Sequence, residues 1–210
     1  MKLKKFFLIL LFTYITYSYH PLRDKEKCIF LYGGGYSGYW YTLSQLQKHY
    51  KNHRDRFICY SSACTSFVFS LQNPNFSVAV VESDKIQQQL IKSNSNLTDM
   101  RLRYIDAIIN RKIDISKYNL QILLTNKIGR CELFRPQNNS HLRKLLIETT
   151  FIPGITGDYN ETNDYYDGGM CFGKPQCQRE VKIPTNYRIW AKTFSPLLNI
   201  EDKEYFLSLT

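Results

Sequence analysis

The sequence predicts an α/β domain on a mostly parallel sheet. Two consecutive units carry that expectation, a strand leading into a glycine loop and helix, then a strand leading into a serine turn and helix. A third observation is the late turn Asp167-Gly168-Gly169, which follows further strand and helix patterns. The 210 residues suffice for one domain that buries most of its apolar surface. A composition of 43% hydrophobic and 22% charged residues excludes a disordered chain.

Lys27 to Tyr32 reads as a buried strand, with Cys28-Ile29-Phe30-Leu31 in unbroken apolar succession. Gly33 to Gly38 reads as a loop. From Tyr39 to about Asn52, Trp40, Leu43 and Leu46 recur at helical spacing. Arg56 to Tyr60 is a second short strand, running into Ser61-Ser62-Ala63-Cys64 and a helix that carries Phe67 and Val68. Pro74 to Lys117 reads as mostly helical and polar, broken by an Asn/Ser-rich loop at Ser93 to Asn96. Leu120 to Thr125 and Cys131 to Phe134 are strands. His141 to Thr149 is a helix with Leu142, Leu145 and Leu146 inward, and Phe151 to Gly157 is turn-rich. No internal repeat, long linker or second domain is visible.

Residues 1–19 carry Lys2, Lys4 and Lys5 ahead of an apolar run from Phe6 to Ile15. The run is short for a membrane span and fits a signal peptide; without an Ala-x-Ala cleavage site, an uncleaved anchor is the alternative. Either reading places the protein outside the cell or on a membrane. Six cysteines then permit disulfides, and Cys171 and Cys177, flanking Gly173-Lys174-Pro175, are the expected pair. Sequons occur at Asn75, Asn96, Asn138 and Asn160. No Cys/His spacing suits zinc, so no metal is expected. The net charge of +10 favours an anionic partner such as a phospholipid surface, but no dense Lys/Arg stripe points to nucleic acid.

Gly33-x-Gly35-x-x-Gly38 matches the dinucleotide fingerprint in form, between a strand and a helix. The acidic residue expected at the end of the second strand is replaced by Tyr60-Ser61-Ser62, and no cofactor is expected. The other chemistry of a glycine cluster is an oxyanion hole, in which Gly33, Gly34 and Gly35 leave backbone amides unshielded at a helix start. A plain strand-to-helix turn would need only one or two glycines. The serine turn offers two registers. An elbow nucleophile needs small residues two positions before and after it. Ser61 is flanked by Cys59 and Ala63, Ser62 by Tyr60 and Cys64, so steric bulk favours Ser61. An ordinary serine cap on a helix is the bland alternative.

Together, Gly33-Gly34-Gly35-Tyr36-Ser37-Gly38, Cys59-Tyr60-Ser61-Ser62-Ala63 and Asp167-Gly168-Gly169 resemble the patatin-like phospholipase family. Its pattern is G-G-G-x-[RK]-G, then G-x-S-x-G, then D-G-[GA]. Leu145 to Gly157 looks like the family's segment ahead of the aspartate. The resemblance covers Lys27 to Gly169 and implies a three-layer, doubly wound α/β sheet over a domain of residues 27–210. It also implies a lipid acyl hydrolase using a Ser–Asp dyad, Ser61 and Asp167, without histidine or cofactor. The expected partner is lipid or phospholipid at a membrane surface. The sequence departs from the pattern at Ser37, where the family has a basic residue, and at Cys59 and Ala63, where it has glycine. A degenerate module of the same fold, binding lipid or a protein partner, is therefore the alternative function.

Overall fold

The computed structural model describes residues 27–49, 55–93, 96–109, 113–159, 161, 163–186, 191–195 and 198–209. The export or anchor segment and Asn160 lie outside them. Six strands form one mixed sheet: β1 (Cys28–Leu31), β2 (Arg56–Cys59), β3 (Leu120–Thr125), β4 (Cys131–Phe134), β5 (Tyr166–Asp167) and β6 (Arg179–Val181). Among the described residues six helices are defined: α1 (Gly35–His49), α2 (Ser62–Gln72), α3 (Phe76–Lys92), α4 (Leu97–Ile109), α5 (Asn139–Thr149) and α6 (Ile200–Ser208).

Strand order is β4-β3-β2-β1-β6, and β5 adds to β3. β6, β1, β2 and β3 run parallel, whereas β4 and β5 are antiparallel to β3. The expectation that β1 and β2 are adjacent parallel strands is met, with Ile29 opposite Phe57 and Leu31 opposite Cys59. β1 throughout, and β2 after Arg56, are apolar because both faces are covered. On one face Ile29, Leu31, Phe57, Ile122 and Leu124 pack with Trp40, Phe67, Leu142 and Leu146 from the helices. On the other, Phe30, Ile58, Tyr60 and Leu123 pack with Cys171.

Two details differ from the sequence reading. Helix α1 begins at Gly35, inside the glycine cluster, because Gly38 N–H already donates to Gly34 C=O at 3.0 Å. Cys171 and Cys177 are not partners. The disulfides are Cys28–Cys177, Cys59–Cys64 and Cys131–Cys171. Sheet pairing dictates this outcome. Cys177 precedes β6, which lies beside β1 and brings it to Cys28, whereas Cys171 passes Cys131 at the start of β4. Strand β6 was not foreseen, since three residues ending in Val181 carry no alternation; its pairing with β1 defines it.

Three sequon asparagines have a local role. Asn75, Asn96 and Asn138 are exposed, and each accepts a backbone N–H three residues on with Oδ1, at 3.3, 2.8 and 2.8 Å, at the start of α3, α4 and α5. Asparagine capping accounts for these positions whether or not they carry sugar. Among the described residues no helix is long and apolar enough to cross a membrane.

Candidate functional site

The register of β3 brings Ser61 to Asp167. β2 pairs with the first half of β3, through Cys59 opposite Ile122, and then leaves the sheet at Tyr60. β5 pairs with the last two residues of β3, Asp167 opposite Leu124. Leu124 also pairs with Glu132 of β4, so β5 occupies the edge that β2 has vacated. Continuing the β2 register two residues places Ser61 at the level of Leu124, which is where Asp167 stands.

Ser61 has φ 56° and ψ −142°, and is the one non-glycine residue with positive φ among the described residues. Such a conformation is costly for a residue with a Cβ and persists only when its surroundings over-determine it. Ser61 occupies the cap position of α2, yet its side chain makes no capping hydrogen bond. The backbone is held instead. Ser61 N–H donates to Thr149 Oγ1 at 3.0 Å, and Thr149 Oγ1 donates to Leu123 C=O at 2.9 Å.

Asp167 is 3% exposed. Its N–H donates to Phe151 C=O at 2.9 Å, and its C=O accepts from Thr125 Oγ1 at 2.7 Å. Oδ1 accepts Gly169 N–H at 2.7 Å, while Oδ2 is buried without a hydrogen-bond partner. Burial pushes the carboxyl up to about 6; the Ser61 hydroxyl, Gly169 N–H, Lys174 and Arg101 all pull the other way. The Ser61 hydroxyl thus lies close enough to the Asp167 carboxyl to influence its ionisation.

The three glycines have different tasks. A Cβ on Gly33 would lie 2.4 Å from Ser61 Cβ and 2.8 Å from Tyr60 C=O, so the loop passes directly over the serine. Gly35 has φ +59°, and a Cβ there would fall 1.9 Å from Thr193 C=O. Gly34 N–H donates to Ser62 Oγ at 3.2 Å, and the Gly33 backbone lies against the Tyr60 side chain. The Gly35 amide has no hydrogen-bond partner among the described residues. Ser61 therefore faces the aspartate, while Ser62 faces the glycine loop. Ser37, where the resemblance expects a basic residue, is fully buried, with Oγ donating to Gly34 C=O at 3.3 Å.

Ser61, Ser62 and Gly35 lie at one wall of a cavity of about 100 Å³, otherwise lined mainly by apolar side chains including Leu90, Leu97, Met100, Ile105 and Phe194. Arg101 also lines it; buried, it donates to Ile147 C=O at 2.8 Å and pairs with Glu161 at 2.9 Å. No histidine lines this cavity, and among the described residues no cluster of His, Cys, Asp and Glu could hold a metal.

Sequence reasoning missed Thr149, Thr125, Arg101 and Lys174. Thr149 was within reach. Leu142, Leu145, Leu146 and Thr149 are spaced i, i+3, i+4 and i+7, which puts its hydroxyl on the buried face. The others depend on long-range packing.

Fold and site define an α/β protein with a serine on a strand-to-helix elbow facing a buried, partner-poor aspartate. Compared with known proteins, the chain matches no family model, no curated protein and no solved structure.

Proposed function

We propose that this protein is a serine-dependent carboxylic ester hydrolase of the patatin-like type, acting on lipid or phospholipid through a Ser61–Asp167 dyad. The observation that carries the reading is the pairing of a positive-φ Ser61 with Asp167, whose Oδ2 is buried and open to a proton. In this mechanism Asp167 Oδ2 takes the Ser61 hydroxyl proton as Ser61 Oγ attacks the ester carbonyl. The tetrahedral oxyanion is held by Gly35 N–H and by the first two amides of α2, those of Ser62 and Ala63, which lack intrahelical acceptors. Collapse expels the alcohol, which leaves with the proton. Water, activated by the same carboxylate, then cleaves the acyl-enzyme. The apolar cavity supports an acyl chain as the group bound beside the serine.

The oxyanion hole inferred from Gly33, Gly34 and Gly35 is narrowed in this proposal to Gly35, because Gly34 N–H is engaged by Ser62 Oγ and the Gly33 backbone lies against the Tyr60 side chain. That engagement also favours the second reading, a non-catalytic lipid-binding module. Three disulfides support an oxidising compartment, in line with export or anchoring through residues 1–19. The deciding experiment is reaction with a fluorophosphonate, read by mass spectrometry, alongside hydrolysis of a soluble p-nitrophenyl ester. Labelling at Ser61 and loss of both signals in Ser61→Ala are expected. A folded protein that neither labels nor hydrolyses would leave the binding module.

A further inference from the structure

We propose that the Cys59–Cys64 disulfide is a positioning element for Ser61, holding the elbow in a reactive shape without the flanking glycines; the inference rests on the hydrolase reading above. Cys59 ends β2, Cys64 is the third residue of α2, and Ser61 lies between them. Their Cα atoms are 5.1 Å apart across five residues. An extended chain would cover roughly 17 Å over that span, so the turn reverses almost completely. The cross-link fixes that reversal covalently.

The competing state is a relaxed serine cap. A serine in front of a helix normally adopts negative φ and turns its oxygen back onto the first-turn amides. Ser61 does neither: its φ is 56° and its side chain makes no cap hydrogen bond. Two hydrogen bonds support the strained form, Ser61 N–H to Thr149 and Cys64 N–H to Ser61 C=O, at 3.0 Å each. The disulfide opposes any rearrangement to a cap that would move Cys59 and Cys64 relative to each other.

Loop length separates this role from global stabilisation. The three disulfides span 5, 40 and 149 residues. Cross-linking restricts the unfolded chain more as the loop lengthens, so Cys59–Cys64 contributes least to overall stability. Cys59 and Cys64 are fully buried, which keeps reductant away from the folded protein and makes the bond a permanent clamp.

The test compares oxidised wild type with Cys59→Ala/Cys64→Ala, Cys59→Gly/Cys64→Ala and Cys28→Ala/Cys177→Ala. Readouts are saturation kinetics of fluorophosphonate labelling, hydrogen exchange at the Ser61 amide, and Tm. Removing Cys59–Cys64 with alanine should slow maximal labelling about tenfold or more, with little change in half-saturation, and speed Ser61 amide exchange about as much. Glycine at position 59 should restore labelling to within about threefold of wild type. Cys28→Ala/Cys177→Ala should lower Tm more but label at the wild-type rate. The proposal is overturned if the Ala/Ala variant labels and exchanges like wild type. If that variant does not fold, a poorly labelling but folded Gly/Ala variant overturns it as well. If wild type itself does not label, the hydrolase reading fails, and exchange at Ser61 alone decides the clamp.

Discussion

Thr149 accepts the Ser61 N–H at 3.0 Å and donates its own hydroxyl to Leu123 C=O at 2.9 Å, tying the elbow to the strand beside Asp167. Thr149 is fully buried, so both partners lose water to gain this bridge. Thr149→Val keeps the shape but takes this partner from the part-buried Ser61 N–H and the buried Leu123 C=O. It should cost about 1–3 kcal/mol of stability, measured by denaturant unfolding, and lower kcat with little effect on KM. Thr149→Ser should recover most of both. Equal loss in the two variants would show that the methyl group, rather than the hydroxyl, matters.

The raised pKa of Asp167 sets the expected pH profile. As proton acceptor it must be ionised, so kcat/KM for a soluble ester should fall about tenfold per pH unit below about pH 6. A profile flat down to pH 4.5 would remove Asp167 from the base role.

The same raised pKa makes a stability prediction of opposite sense to function. The folded-state value, about 6, lies above the ordinary 3.8. The stability this group contributes is complete below about pH 3.8 and is lost as pH rises through about 6. At pH 8 keeping the buried carboxylate ionised costs up to about 3 kcal/mol, because each tenfold change in proton affinity on folding is worth about 1.4 kcal/mol. Asp167→Asn keeps an acceptor for Gly169 N–H and removes the charge. It should abolish hydrolysis, raise stability at pH 8, and match wild type near pH 4 in thermal or urea unfolding. A destabilised Asn variant at pH 8 would contradict the buried-charge account.

Gly33→Ala tests the approach of the loop to the serine. Its Cβ would meet backbone at Tyr60 C=O, 2.8 Å away, and Ser61 Cβ at 2.4 Å, neither being the end of a flexible side chain. Labelling at Ser61 should drop about tenfold or more, with about 1–3 kcal/mol lost in unfolding experiments, as for other overpacked sites. Wild-type labelling in this variant would mean that the loop is free to lift off the elbow.

Residue order alone was enough to read an α/β domain. The apolar run at Cys28 to Leu31, the largely apolar stretch Leu120 to Thr125, and the helical spacing of Leu142, Leu145 and Leu146 are local signals that survive without a partner. Crowding across Cys59, Tyr60, Ala63 and Cys64 also favours Ser61 over Ser62 on sequence grounds, and Ser61 is the serine that faces Asp167. Tertiary structure decided the rest. Cys177 meets Cys28 only because β6 joins β1, and Cys171 meets Cys131 only because its segment passes the start of β4. The engagement of the Gly34 amide by Ser62 arises where α1 and the elbow converge. Asp167 has its high pKa because β5 inserts into the edge of β3 that β2 leaves, deep in the protein and away from water. Pairing between segments far apart in sequence sets each of these, and no local periodicity encodes which distant strand will fill a vacated edge.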